Sequence, residues 1–371
     1  MKIARSAKVA ALAATGALAL AACSSGDSGG SESPAAAGSI GGIDCATGTI
    51  KASGSSAQKN AMTEWINAYQ TACEGATIEY SPSGSSAGRA DFINNQVAFA
   101  GSDAAMESEE LKQAADRCNA APPINVPMVG GAIALTYNLE GVDNLVLTPD
   151  VTAKIFNSEI TNWNDPAIAE INPDATLPDA PIAPFHRSAG SGTTDNFTQW
   201  LQAAAGDNWP YEAGSDWTAK GGQGSKGSDG VAASVKSTPN SIGYVELSFV
   251  ETQGLKAASV DNGGGAVAPT AETATAGLAK AKLTPNADAG PGDMTMELDY
   301  TLADTSAYPV LLLTYEIMCE TGNDATTLPL TRSFLSYAAS ADAQGILTEI
   351  GYVPLPAELD TQVAETVAAI S

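Results

Sequence analysis

Thr47-Gly48-Thr49-Ile50-Lys51-Ala52-Ser53-Gly54-Ser55-Ser56-Ala57 is the stretch whose reading decides the fold. Thr47 to Ala52 alternates like a short strand, and beyond the turn Met62, Trp65, Ile66 and Tyr69 recur at helical spacing. Thirty residues on, Ser83-Gly84-Ser85-Ser86-Ala87 repeats the pentapeptide, after a strand-like Ala76 to Tyr80 and before a helical Arg89 to Gln96. A looser third copy has Ile182 to Phe185, then Ser188-Ala189-Gly190-Ser191-Gly192-Thr193, then a helix with Phe197, Trp200, Leu201 and Ala204 on one face. A strand, turn, helix device used this way indicates an α/β architecture with mainly parallel sheets.

A Gly/Ser turn entering a helix offers unpaired backbone N–H groups and the positive end of the helix dipole, and Ser or Thr hydroxyls add donors. Three such ends can together hold one tetrahedral anion, although each Ser read alone is an N-cap. Arg187, just before the third turn, is the candidate clamp, because a planar guanidinium matches two oxyanion oxygens. Its alternative role is a surface or interdomain ion pair, and His186 beside it reads as packing. Asp103, in Phe99-Ala100-Gly101-Ser102-Asp103-Ala104, reads alone as the N-cap of a helix over Met106 to Gln113. Beside an anion it has a sharper meaning. A carboxylate only accepts, so it tolerates an oxyanion that still carries a proton and repels one that does not.

At the N-terminus Lys2, Arg5 and Lys8 precede an uncharged run from Val9 to Ala22 and then Cys23, the order of an export signal too short to span a bilayer stably. Leu20-Ala21-Ala22-Cys23 resembles the lipobox of bacterial lipoproteins. That resemblance implies a signal peptide over residues 1–22, cleavage before Cys23, and a palmitate-type lipid on its thiol that anchors the chain to the outer face of the cell membrane. Residues 23–44, rich in Gly, Ser and Ala, read as a flexible tether. Removing residues 1–22 takes the formal net charge from −25 to −28, which argues against nucleic acid as a partner. The longest later apolar run, around Val310-Leu311-Leu312-Leu313, falls far short of a membrane span, so the lipid is the expected membrane attachment. The roughly 320 residues that remain favour two domains. Cys45, Cys73, Cys118 and Cys319 suggest two disulfides in an exported chain, for which three pairings exist. The pairing expected is Cys73 with Cys118 and Cys45 with Cys319. A zinc site is disfavoured, since no C-x-x-C occurs and His186 is the sole histidine.

Two motifs point elsewhere. Gly84-Ser85-Ser86-Ala87-Gly88 fits the G-x-S-x-G nucleophile elbow of hydrolases, which would need Ser86 activated by His186 with Asp143 or Asp150 as the acid. The twin turn at Ser53 has no catalytic explanation under that esterase reading, and the pattern arises readily in a chain with 36 glycines. Gly222-Gln223-Gly224-Ser225-Lys226-Gly227 fits G-x-G-x-x-G, but no convincing strand precedes it, so a loop is expected.

Ser53-Gly54-Ser55-Ser56, Gly84-Ser85-Ser86, Ala100-Gly101-Ser102-Asp103, His186-Arg187-Ser188-Ala189-Gly190-Ser191-Gly192-Thr193 and Ser241-Ile242-Gly243-Tyr244-Val245-Glu246 occur in this order. In that combination the chain resembles the phosphate-binding proteins of bacterial Pst-type ABC importers, from about Gly48 to the C-terminus. The resemblance implies a two-lobed periplasmic-binding-protein fold of type II, each lobe a mainly parallel sheet flanked by helices. Lobe I would comprise 45–128 plus 309–371 and lobe II 129–308, with two crossings as the hinge. It implies no enzyme activity, no cofactor or metal, and a monomer that hands inorganic phosphate to membrane permease subunits. Phosphate contacts would come from Ser56, the Ala57 amide, Ser85, Arg187, Ser191, Gly192 and Thr193, with Asp103 accepting the phosphate proton. Phosphate near neutral pH keeps a P–OH and sulfate has none. A buried acceptor facing a sulfate oxygen costs several kcal/mol, about a thousandfold in selectivity, which disfavours the nearest alternatives, sulfate or molybdate. There are two departures. Relatives commonly have an aromatic at Ala57, and often an Asp at Ala189 that orients the arginine.

Overall fold

The computed structural model describes residues 38–371. The expected signal peptide, Cys23 and most of the expected tether lie outside the described residues. Within that tether, Ser39–Ile40 and Ile43–Asp44 pair as a short antiparallel ladder, and the Ser333 hydroxyl donates to the Asp44 carbonyl at 2.6 Å.

Nine strands form one continuous sheet. They are β1 (Gly48–Gly54), β2 (Ala76–Ser81), β3 (Phe99–Ser102), β4 (Ile124–Asn138), β5 (Ala183–Arg187), β6 (Gln223–Ser225), β7 (Ser241–Glu246), β8 (Lys256–Ala257) and β9 (Leu311–Met318). The spatial order is β2-β1-β3-β9-β4-β7-β5-β6, with β8 beside the end of β4. β2, β1 and β3 run parallel, and so do β7, β5 and β6. The antiparallel strands β9 and β4 join these two groups. Parallel neighbours require crossover connections. These are supplied by helices α1 (Lys59–Ala72) and α2 (Ser85–Ile93) in the first group, and by α3 (Gly192–Ala205) and α4 (Gly227–Ser237) in the second; α5 (Leu247–Gln253) follows β7 directly.

The periodicities bury the expected faces. Met62, Trp65 and Tyr69 are the buried stripe of α1, and Phe197, Trp200 and Leu201 that of α3. Two large apolar cores result, with a smaller third cluster around Phe92, Met106, Leu111 and Ile317. One gathers Ile50, Trp65, Tyr69, Phe99, Met128, Val129, Met318 and Phe334; the other gathers Ala132 to Leu135, Phe156, Trp163, Phe197, Trp200, Tyr244 and Leu312. β4 passes from the first to the second between Val129 and Ala132, and β9 passes back between Leu312 and Met318. Being covered on both faces, these two strands read as nearly unbroken apolar runs rather than alternating ones.

The disulfide pairing differs from the expectation. Cys45 joins Cys73, and Cys118 joins Cys319, each with Cα atoms 5.3 Å apart. The cause is sheet register. β1 and β2 pair in parallel with Gly48 opposite Ala76, so the residues three places upstream of each, Cys45 and Cys73, are brought side by side. Cys319 directly follows β9, and Cys118 ends the short helical turn Ala115–Cys118 between β3 and β4, the two strands that flank β9. The Gly222 to Gly227 motif also differs from a loop. It holds edge strand β6 and the entry into α4, a fourth strand, turn, helix unit.

Candidate functional site

The first two turns and the end of β3 are tied together through their backbones. Ser55 N–H donates to the Gly101 carbonyl at 2.8 Å, and Gly84 N–H donates to the Gly54 carbonyl at 2.7 Å. Gly54 has φ 139°, and a Cβ there would collide with the Gly101 carbonyl oxygen. Only glycine both reaches that conformation and lets the strand end carrying Asp103 lie against the turn. The third turn meets them from the other group of strands. A Cβ on Gly192 would lie 2.6 Å from Asp103 Cβ and 2.7 Å from Ser85 Oγ.

The side chains converge accordingly. Asp103 is 3% exposed. Its Oδ1 accepts from the Thr314 hydroxyl at 2.7 Å, and its Oδ2 accepts from Ser85 at 3.3 Å and lies 3.4 Å from Thr193 Oγ1. Asn196 fixes its backbone, donating to the Asp103 carbonyl at 2.7 Å. Arg187 is buried, and its Nη1 donates to Ser191 Oγ at 2.7 Å, while that same oxygen accepts from Thr194 N–H as the cap of α3. Arg187 Nε has no partner, and among the described residues the guanidinium makes no ion pair. Buried donors of this kind are normally satisfied, and a buried charge is normally matched. Thr193 donates to Glu246 Oε1 at 2.7 Å, and Glu246, fully buried at the end of β7, has no partner for Oε2.

Ser85, Asp103, Arg187, Ser191, Gly192 and Thr193 therefore share one buried cluster. Ser56 and Ala57 stand at its edge. The Ala57 amide donates to Ser55 Oγ at 3.0 Å, and Ser56 Oγ accepts from the Ser228 N–H at 3.0 Å, at the start of α4. Asp103 is not a helix cap, because the helix after it, Ser108–Ala114, is capped by Glu107. Nor do the serines of the first two turns cap their helices, whose N-cap positions are Gln58 and Gly84, neither with a side-chain cap. Among the prominent members of the cluster, Thr314, Asn196, Ser228 and Glu246 were given no role from sequence. Thr314 and Glu316 do interrupt the apolar run of β9, a signal that something polar awaits them inside.

Burial pushes the Asp103 carboxyl upward, opposed by hydrogen bonds from Ser55 and Thr314 and by the charge of Arg187. Burial also raises Glu246, and the negative charge of Asp103 adds to the shift. Below the cluster, Glu316 is pushed up to about 8, again by burial first, with the Gln58 side chain opposing and Asp103 reinforcing.

The esterase constellation is not assembled. His186 stacks on Trp217 with ring centroids 4.7 Å apart, and its Nδ1 lies 2.9 Å from the Arg187 carbonyl, which can only accept and so fixes the proton on Nδ1. Asp143 pairs instead with Lys256 at 2.7 Å, and Asp150 is exposed in the first turn of Pro149–Phe156.

Residues 40–342 match the PBP superfamily domain. The phosphate-binding protein PstS3 of Mycobacterium bovis is 39% identical over 380 residues, covering 100% of both chains. The phosphate-binding protein PstS of Xylella fastidiosa is 31% identical over 329 residues, covering 85% of each. Among solved structures, a high affinity periplasmic phosphate-binding protein (PfluDING) bound with phosphate superposes with a TM-score of 0.68 at 24% identity, covering 86% of this chain and 93% of the other. A putative phosphate ABC transporter substrate-binding protein from Clostridium perfringens gives a TM-score of 0.60 at 23% identity, covering 83% of this chain and 100% of the other. These likenesses carry the two-lobed binding-protein fold. By the domain match and by identity along its full length, this chain belongs to the PBP superfamily and, within it, to the family of the PstS phosphate-binding proteins.

Proposed function

We propose that this chain captures inorganic phosphate outside the cytoplasmic membrane and delivers it to the permease of an ABC-type importer. It is a binding protein and not an enzyme, in keeping with full-length relatives named for phosphate binding. The observation that carries the reading is Arg187, a buried guanidinium that among the described residues has a free Nε and no ion-paired carboxylate, set among the hydroxyls of Ser85, Ser191 and Thr193. A tetrahedral oxyanion supplies the missing charge and the missing acceptor at once. Asp103, an acceptor beside that position, selects an anion that still carries a hydrogen.

Two lobes, 45–128 with 309–371 and 129–308, then close on the ligand. The changeover of cores along β4 and β9 supports a hinge there. Ser56, Ala57, Ser85 and Asp103 come from one lobe and Arg187, Ser191, Gly192 and Thr193 from the other, so closure and capture are one event. The chain acts as a monomer, held at the outer face of the membrane by a lipid on Cys23. The test is isothermal titration of phosphate-stripped protein with phosphate and with sulfate. Saturable phosphate binding with sulfate excluded is expected; tight sulfate binding, or no phosphate binding, refutes the reading.

A further inference from the structure

The Thr193 hydroxyl has one hydrogen and three claimants. It lies 2.7 Å from Glu246 Oε1 and 3.4 Å from Asp103 Oδ2, and under the phosphate reading it also faces the anion. While Glu246 is a carboxylate, the shorter contact holds that hydrogen, and Thr193 Oγ1 turns only lone pairs toward an incoming oxyanion. Two lone-pair-bearing oxygens would then face each other in a buried site.

The two acids differ in how they are supported. Asp103 accepts from the Thr314 hydroxyl on one oxygen and from the Ser85 hydroxyl on the other, and Arg187 lies near it. Those groups stabilise its ionised form. Glu246 is fully buried, Thr193 is the one other described residue that donates to its side chain, and Oε2 has no partner among the described residues. The charged and titratable groups that face it are Asp103 after β3, Arg187 at the end of β5, Tyr244 on its own strand and Tyr352 from the C-terminal segment. Two carboxylates against one guanidinium leave no room for an added anion, unless one acid is neutral.

We propose that Glu246 is a positioning residue that acts through Thr193: when phosphate binds, Glu246 takes a proton from solvent, donates it to Thr193 Oγ1, and so releases the Thr193 hydrogen to the anion. One O–H bond forms on Glu246, and the hydrogen bond between the two side chains reverses direction. This rests on the phosphate reading above. The binding burial that already raises the Glu246 carboxyl acts in the same direction, since an arriving anion raises it further.

The experiment counts protons. Phosphate-stripped full-length protein is titrated with inorganic phosphate in two buffers of different ionisation heat at each pH, and the wild type is compared with Glu246→Gln, whose amide donates without titrating. Phosphate's own titration and that of Asp103 occur in both proteins, so the difference isolates Glu246. Across its titration window the wild type should take up as much as one more proton per phosphate than the variant. Its affinity relative to the variant should fall by up to about tenfold per pH unit. In a Thr193→Val background the same substitution should lose most of its pH-dependent effect on affinity. Equal proton counts overturn the proposal, and an undiminished effect without the Thr193 hydroxyl overturns the relay. If Glu246→Gln does not fold, the wild-type infrared difference spectrum on binding phosphate decides, because a new protonated-carboxyl band is required and its absence is refuting. A wild type that binds no phosphate overturns the parent reading instead, and this inference falls with it.

Discussion

Glu316→Gln should make the protein more stable at alkaline pH while leaving it unchanged in acid. Glu316 lies on β9 opposite Gly101, fully buried; the Gln58 side chain lies near enough to oppose its shift, yet among the described residues neither Glu316 oxygen nor Gln58 Oε1 has a partner within hydrogen-bond geometry. Three buried acceptors without donors make sense for a neutral acid, which supplies a hydrogen, better than for a carboxylate. Its carboxyl rises from the ordinary 4.5 to about 8 in the folded protein. Between those values the native state holds a proton that the unfolded chain has released. Stability is therefore full below about pH 4.5, falls by about 1.4 kcal/mol per pH unit as pH rises, and levels off above about pH 8. The whole window amounts to about 3 to 5 kcal/mol, a large part of the stability of a typical domain. Glutamine keeps the volume and the neutral polarity but has no proton to lose. Urea unfolding of both proteins at about pH 5, 6.5 and 8.5, in phosphate-free buffer so that ligand does not stabilise the native state, gives the difference directly. Glu246 and Asp103 titrate in both proteins and cancel to first order. A stability gap that stays constant with pH would falsify the assignment of a buried neutral acid.

Arg187→Ala should weaken phosphate binding by about 3 to 5 kcal/mol, at least about a hundredfold in Kd by titration calorimetry, because an anion would be buried without its cation. Retained affinity would mean that the guanidinium serves only Ser191. Asp103→Asn should narrow the gap between phosphate and sulfate, since an amide can donate where the carboxylate could only accept; competition binding reads this, and undiminished exclusion of sulfate sinks the selectivity argument. Non-reducing peptide mapping should recover Cys45 linked to Cys73 and Cys118 linked to Cys319, and any peptide joining Cys73 to Cys118 contradicts the register of β1 and β2.

What was legible in the sequence were the features that depend on local spacing. Ser53 to Ala57, Ser83 to Ala87 and Ser188 to Thr193 announced strand, turn, helix units, and Met62, Trp65 and Tyr69 announced the face of α1, because a turn and a helix period are written in consecutive residues. The fourth unit escaped since β6 is only three residues of Gln, Gly and Ser at the sheet edge, with no β-branched side chain to mark it. Disulfide pairing depends on which strands lie side by side and in what register, and neither is local. Glu246 was visible as an acid at the end of Ser241 to Glu246, but its role depends on Thr193, 53 residues away, coming to 2.7 Å. In the same way, the hydroxyl that completes Asp103 comes from Thr314, 211 residues further along.

A chain with a formal charge of −25 is a poor attractor of anions at long range, so capture must be a short-range affair. The cluster meets that demand less through net charge than through the direction of hydrogens. Asp103, Glu246 and Glu316 are three carboxyls at or below 3% exposure, and of the two buried guanidiniums Arg89 is already paired with Glu110, which leaves Arg187 facing Asp103 and Glu246. If all three were ionised, an added anion would face an uncompensated excess of negative charge in a medium that screens it weakly. Each acid that holds a proton removes one charge and gains one donor, so the same event lowers repulsion and supplies a hydrogen bond. Ser85 and Thr193, whose hydroxyls can turn, then pass that change to the ligand position. On the phosphate reading, selectivity follows from Asp103 as the one acid left ionised: with Thr314 donating to one of its oxygens and Ser85 to the other, it is the acceptor that an unprotonated oxyanion cannot satisfy.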